Sequence, residues 1–539
     1  MRQFGFMICF GFTFFSLAEE QTPIKADFIF FGGDIFTLKE SEITKPETLA
    51  IAQDKIIFSG SKKDALYLQK ESTEWINLQN GALVPGFITL ESNIFLNGLT
   101  YFTLDLSLER YKSMKDIIEA LTQAAKKGPV LATGFSPYLI KKNKKLTLKK
   151  LDAISEKVPI LVIDLNGSIA YANRKCLSNA GISYEMALSL PEDFRIKKNG
   201  KLSGEIISLE GISKLLSPFE NLLNLDFKKI CEISAKKFIR QGYTTAIDTT
   251  VGQFLPTPAK HQEMLSLAAK KSSLNIKGYY LANAFESLRD ASQKATDFFE
   301  ILGIHFDCDP PLLFPNKNGI SDEVMLKKAT LASQNKLSIS FKASSKAGIE
   351  KAFKCVNELQ KLRPSSSKDF IIQHASLADE KSFETIDFFH GSCSFSMQDI
   401  YTYGDTYKKL LAKPVIKELN MTKTALKQNL PFNITQAGVA RALYSMKVLE
   451  TAVLRESKKG LVVGREQRLR VIDGLKAMTS FPAVSIKKED QIGTLEVSKF
   501  ADLVVLKKSP TAVAANKIGQ IEISQTWIRG KKIANGSSD

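Results

Sequence analysis

Four imidazoles are the whole supply in this 539-residue chain: His261, His305, His374 and His390. Neutral imidazoles joined by carboxylates are the usual means of holding a divalent metal that activates water. Catalytic zinc keeps three protein ligands and one open position. A centre that needs many histidines is therefore excluded by number alone. The six cysteines (Cys9, Cys176, Cys231, Cys308, Cys355, Cys393) lie far apart with no C-x-x-C pair, which excludes a thiolate zinc cluster and argues against a disulfide framework. Gly134-Phe135-Ser136-Pro137 begins like a nucleophile elbow but lacks the closing glycine and the strand–turn–helix setting. Asp307 and Asp309 flank Cys308 before two prolines, a spacing that fits a turn better than a carboxylate pair. Neither G-x-x-x-x-G-K-[ST] nor G-x-G-x-x-G occurs, so no phosphate cradle is expected.

Groups this sparse need a large scaffold to bring them together. With 44% hydrophobic and 24% charged residues, the composition is globular and excludes wholesale disorder, collagen and a multi-span membrane protein. The first hundred residues after the leader contain short β-rich runs at Phe28–Phe31, Ile35–Leu38, Leu49–Ala52 and Lys55–Ser59, broken at Gly32-Gly33 and Gln53-Asp54. The C-terminal tail is similar, with a strand expected over Ala501–Leu506 and a hairpin over Gln525–Ala534 turning at Arg529-Gly530. Between these ends helices and strands alternate. Asp226 can cap a helix whose apolar face includes Phe227, Ile230 and Phe238, Gly242 stops it, and Thr244–Ile247 reads as a strand. Ser321 caps a helix that Asn335 closes before a strand over Leu337–Phe341. A helix over 346–362 then precedes a strand at Phe370–His374. Repeated helix-then-strand units imply parallel strands, and their number fits an α/β fold built on a closed (β/α)8 barrel.

The N-terminus reads as an export leader: Arg2, an apolar run from Phe4 to Leu17, and small residues before Glu19. Cleavage after residue 18 would remove Cys9 and place the chain in the periplasm or outside the cell, with no integral membrane span left. The other reading is an uncleaved anchor. The net charge of +17 comes mostly from lysine, most densely in KKNKKLTLKK at 141–150. No aromatic residues are interleaved there for base stacking, so the run reads as a solvated surface and no nucleic acid is expected.

Several segments together resemble amidohydrolase family 3. ADFIFFGGDIFTL (26–38) is similar to the family's opening hairpin, LAIAQDKIIFSGS (49–61) to its second, and ALVPGFI (82–88) to its junction into the first barrel strand. LDAISEKVPILVIDLNGSIAYANRKCLSNAGI (151–182) resembles an inserted segment; GKLSGEI (200–206), GYTTAID (242–248) and IIQHASL (371–377) match further stations. GLKAMTSFPA (474–483), IGTLEVSKFADLVVL (492–506) and TWIRGKKI (526–533) resemble the closing helix and tail. The matches are collinear over nearly the whole mature chain. They imply a distorted TIM-like (β/α)8 barrel over 84–484, with an inserted segment around 100–225. A composite β-sandwich is implied from 24–83 and 485–539, after a leader at 1–18.

The resemblance also implies hydrolysis of carbon–nitrogen bonds by metal-activated water at the C-terminal mouth of the barrel. The stations where the family places its ligands are mostely occupied by other residues. The two histidines after P-G-F-I are Glu91 and Asn93, and the substrate-contacting histidine of the insert is Ser168. A bridging lysine station aligns with His305. The strand-five histidine falls near Phe341, where G-D-R-A has become SSKA, and the final aspartate falls near Gln436. Only His374 keeps its family identity, with Gln373 in place of the preceding glutamate. Phenylalanine has no lone pair, and an amide is a poor substitute for imidazole toward zinc. The residual set Glu91, His305 and His374 could hold at most a single divalent metal such as zinc, and His374 by itself reads as a retained structural histidine. His261 and His390 read as surface residues. The expectation is an exported family member with no assigned cofactor, binding a small molecule at the old mouth near Ser168, Phe341 and Gln436. The competing expectation is a working hydrolase of a small amide with an altered mononuclear centre.

Overall fold

The computed structural model describes residues 24–39, 45–107, 109–140, 145–253, 257–285, 295–309, 320–363, 370–436 and 444–533. The expected leader at 1–18 and the lysines of 141–144 lie outside them. Eight parallel strands form the central sheet in chain order: β1 (Phe87–Ser92), β2 (Tyr243–Val251), β3 (Asn275–Leu281), β4 (Phe299–Asp307), β5 (Ser338–Ala343), β6 (Phe370–His374), β7 (Ser392–Ser396) and β8 (Phe432–Thr435). Among the described residues a helix precedes each of β2, β3 and β5 to β8, the usual crossover for parallel strands. The ring is joined between β8 and β1 by a side chain. Asn433 Oδ1 accepts from Leu90 N–H at 2.9 Å, and its Nδ2 donates to the carbonyls of Ile88 and Ala477 at 3.2 and 2.7 Å. Ile88 and Leu90 of β1 pack with Ile247, Tyr279 and Ile371 from β2, β3 and β6 as a separate apolar core.

The local signals that set these elements are ordinary ones. Asp226 accepts from Lys229 N–H at 3.0 Å and starts helix Phe227–Arg240, which buries Phe227, Ile230, Ser234 and Phe238. Gly242, at φ +80°, turns the chain into β2. Gly86, at the foot of β1, sits so close to β2 that a Cβ there would lie 2.1 Å from Thr244 Oγ1. Helix Lys346–Leu362 is capped by Ser345, whose side chain accepts from Gly348 N–H at 3.0 Å.

Between β1 and β2 the chain builds a six-stranded mixed sheet from Leu104–Asp105, Val130–Phe135, Ile160–Asp164, Ala170–Ala172, Phe194–Ile196 and Leu202–Ile206. The two chain ends make two smaller mixed sheets. One holds Phe28–Phe31, Thr48–Ala52, Lys55–Gly60 and Glu74–Asn77; the other pairs Ala82–Pro85 with Leu503–Leu506 and the hairpin Ile523–Ile528/Lys531–Ile533. Phe30, Leu49, Ile51, Leu83, Leu503 and Trp527 form their shared core. Trp527 meets Phe28 and Phe30 edge-on, with ring centroids 4.8 and 5.3 Å away.

Several strand bounds differ from expectation, and the one expected over Thr244–Ile247 extends from Tyr243 to Val251. The expected run Ile35–Leu38 is only Asp34–Ile35, because Leu38 takes a left-handed conformation at φ +59°. The strand expected from Ala501 begins at Leu503, and the one expected over Leu337–Phe341 runs from Ser338 to Ala343.

Candidate functional site

The C-terminal ends of the barrel strands and the turn after Ile160–Asp164 enclose a small hollow of about 60 Å³. It is bordered by Glu91, Asn93, Asn166, Ser168, His305, Asp307 and Lys342, among others. Alternation along the strands decides which side chains reach it. On β4, His305 and Asp307 point to the hollow while Ile304 and Phe306 join the outer core. On β5, Lys342 points in and Phe341 points out. The Phe341 ring stacks on Phe306 at 5.7 Å and meets Phe370 edge-on at 6.4 Å. Phe341 is thus not a pocket residue, and its neighbour Lys342 is.

Glu91 and His374 meet directly. His374 Nε2 lies 2.7 Å from Glu91 Oε1, and Asp399 Oδ2 lies 3.8 Å from Nδ1 on the other side of the ring. Burial opposes a charged imidazole, but the Glu91 carboxylate and Asp399 outweigh it and raise His374 to about 9. Burial likewise works against the Glu91 carboxylate, yet His374, Lys342 and His305 hold it below the usual glutamate range. The pair is an imidazolium and a carboxylate at neutral pH. His374 and Ala375 both have positive φ, +67° and +35°, so β6 ends in a sharp left-handed kink that turns the ring toward Glu91.

His305 has a different partner. Its Nδ1 is 3.0 Å from Ser340 Oγ, and Nε2 is 3.9 Å from Asp307 Oδ1. Burial lowers it to about 4, so this imidazole is neutral. Lys342 Nζ lies 3.8 Å from the same Asp307 oxygen. Burial would lower the lysine, but Asp307, Glu91, Asp164 and Asp309 together raise it above its ordinary value. Asp309 does not pair with Asp307; its two oxygens accept from Ser344 and Ser345 N–H at 2.7 Å each and hold the turn after β5.

Asn93 borders the hollow but uses its side chain as a cap, accepting from Leu96 N–H at 2.9 Å at the start of helix Ile94–Leu99. Ser168 reaches the hollow from the insert. Its backbone N–H and that of Ile169 donate to Asp164 Oδ1 at 2.7 and 2.9 Å. Burial raises Asp164 to about 6 despite these bonds, and its Oδ2 has no protein partner. Gln436 follows β8 and is buried, with Oε1 also unpartnered, but it borders neither this hollow nor the larger one beside it. His261 is not a surface residue. It is fully buried on helix Pro258–Ser272, its Nδ1 accepts from Gln253 N–H at 3.2 Å, and its ring lies edge-on to Phe95. His390 is exposed at the end of its helix.

This donor set does not suit a divalent ion. The His374 nitrogen facing the mouth is spent on Glu91 and the ring is protonated, Asn93 is a cap, and Lys342 adds positive charge to the hollow. Among the described residues, no group of three or more His, Cys, Asp or Glu is arranged to hold a metal ion.

A groove of about 1170 Å³ opens beside the mouth, between the insert and helix Met397–Leu410. Tyr101, Tyr138, Tyr401, Tyr403 and Tyr444 border it, together with Asn166, Asp399 and Lys409. Asn166 borders both hollows, and Tyr403 Oη donates to its Oδ1 at 3.4 Å. At the rim, Arg110 pairs with Asp105 at 3.0 Å and Lys458 with Glu109 at 2.7 Å. Lys342, Asp399, Asp164 and the tyrosine wall were not singled out from the sequence. For Lys342 the signal is present: in SISFKA the polar Ser338, Ser340 and Lys342 alternate with the apolar Ile339, Phe341 and Ala343.

The amidohydrolase family's profile matches residues 74–534. Protein LONG AFTER FAR-RED 3 from Arabidopsis thaliana is 22% identical, over 96% of this chain and 94% of its own length. N-substituted formamide deformylase from Arthrobacter pascens is 19% identical, over 90% of this chain and 94% of its own. Among solved structures, an uncharacterized metal-dependent hydrolase from Pyrococcus horikoshii superposes with a TM-score of 0.69 at 18% identity, covering 91% of this chain and 99% of the other. With a family match that runs through the whole barrel and into the C-terminal strands, this chain belongs to the amidohydrolase family.

Proposed function

We propose that this chain is a family member that binds a small, ring-bearing molecule in the tyrosine-lined groove and has lost the family's metal centre. The contact between Glu91 and His374 carries the reading: the one histidine that keeps its family station is committed to a carboxylate instead of a metal. The groove supports it. Ligand clefts commonly enclose about 300–1,000 Å³ and are lined by aromatic side chains with a few polar groups, and this one is of that scale. Asn166, Asp399 and Lys409 supply the few polar groups along it. Export through the leader at 1–18 belongs to the same proposal, with no nucleic-acid partner.

N-substituted formamides, the compounds named for the Arthrobacter relative, are the first ligands to test. Thermal-shift and calorimetric titration with a ring-bearing formamide should show binding that Tyr403→Ala weakens, with no turnover whether or not zinc is added. The competing reading is a small-amide hydrolase working through Glu91, His305 and His374. Zinc-dependent release of amine that His374→Ala abolishes would establish that reading and overturn this one.

A further inference from the structure

The groove beside the mouth is particular about its rings. The chain holds 35 phenylalanines, 13 tyrosines and two tryptophans. Yet the aromatic residues that border the groove, among those described, are Tyr101, Tyr138, Tyr401, Tyr403 and Tyr444. Apolar contact alone would draw phenylalanine in a chain so rich in it. Solvent exposure does not explain the choice either, since Tyr403 is only 2% exposed and donates its hydroxyl to Asn166. A tyrosine ring offers an apolar face and a hydrogen-bonding edge at once. Thr402 and Thr406 add hydroxyls along the same wall.

The groove is also long, and its charges are largely compensated. Helix Met397–Leu410 turns Ile400, Gly404 and Tyr407 to the core, and its opposite side borders the groove from Gln398 to Leu410. That is about 18 Å at 1.5 Å per residue, more than one ring can fill. Glu109 pairs with Lys458, Arg110 with Asp105 and Lys447 with Glu450; Asp405 accepts from Ser457 Oγ at 2.8 Å, and Asp399 faces the His374 ring. Lys409 and Lys459 stand exposed, where solvent leaves little strength for an ion pair. Such walls suit an uncharged occupant. A pyranose ring has the matching halves, a face of axial C–H bonds and a margin of hydroxyls. We propose that the ring-bearing occupant of this groove is a short, neutral, linear saccharide, with sugar faces laid on the tyrosines and hydroxyls bonded to the phenols and to Asn166. The proposal rests on the reading of the groove as the ligand site and narrows its occupant from any ring to a chain of hydroxylated ones.

The test is calorimetric titration of the full chain with maltotetraose, cellotetraose and chitotetraose, each beside its own monosaccharide, with the ring-bearing formamide as a reference. At least one tetrasaccharide should bind, about tenfold or more tighter than its monosaccharide, because several rings are seated at once. Tyr401→Phe keeps the ring and removes the hydroxyl; it should weaken that tetrasaccharide by about tenfold and leave the formamide unchanged. Tyr444→Ala, at the most exposed of the five rings, spares the core and should weaken the tetrasaccharide more than the monosaccharide. If Tyr401→Phe fails to fold, Tyr444→Ala decides the matter. Binding of the formamide with none of the three tetrasaccharides would overturn the saccharide and leave the ring-binding reading standing; binding of neither would overturn both. A tetrasaccharide that binds wild type and both folded variants equally sits elsewhere, which also overturns the proposal. So does a neutral tetrapeptide that binds where every saccharide fails.

Discussion

His374 and Glu91, 283 residues apart in the chain, form a 2.7 Å ion pair between the ends of β6 and β1. Because the folded state raises His374 above the ordinary histidine value of 6.5 to about 9, its contribution to stability is full below pH 6.5 and is lost as pH rises through 9. The thermal midpoint should therefore fall across that window. Glu91→Gln strands the imidazole in a buried site and should cost about 3–5 kcal/mol at neutral pH by urea denaturation. It should also flatten the profile between pH 6.5 and 9, and an unchanged slope in the variant would show that His374 is not held charged by Glu91.

Asp164 titrates in the opposite sense to an ordinary paired carboxylate. Burial raises it from 3.8 to about 6, so the folded state holds the proton longer than the unfolded state and stability declines as pH rises from 4 to 6. Asp164→Asn keeps an oxygen for the Ser168 and Ile169 amides and carries no charge. It should abolish that decline and be more stable than wild type at pH 7 by on the order of 1–3 kcal/mol, read from denaturant midpoints.

Asn433 ties the last barrel strand to the first through Leu90, Ile88 and Ala477. Leucine at this position would leave the buried Leu90 amide without its acceptor and take a donor from the Ile88 carbonyl, while the Ala477 carbonyl still accepts from Ile434 N–H at 3.2 Å. The expected loss is about 1–3 kcal/mol, the usual cost of an unsatisfied buried group. Hydrogen exchange should quicken first at Leu90, whose amide loses its acceptor; uniform exchange changes would speak against a local seam.

Phe341 and Lys342 are adjacent and face opposite ways. Phe341→Ala should cost about 3–5 kcal/mol as a core cavity, while leaving the affinity of the folded protein for a groove ligand unchanged. A loss of affinity without loss of stability would return Phe341 to the pocket.

The fold was legible because its signals are redundant. Asp226, Gly242, Ser321 and the P-G-F-I junction each mark a boundary, and together they order the barrel. The site was harder to read because it depends on facing. Placing the strand-five station one residue early, at Phe341, exchanged an outward ring for an inward ammonium, since side chains alternate along a strand. His261 was misjudged because its helix face is set by packing against Phe95 and Gln253, contacts distant in sequence or in a loop. Asp399 sits on the helix after β7, and only the folded barrel brings it beside His374.

Asn166 has a consequence for regulation. It is the partition shared by the groove and the charged mouth, so any influence that an occupant of one exerts on the state of the other has to pass by this amide and is equal in both directions.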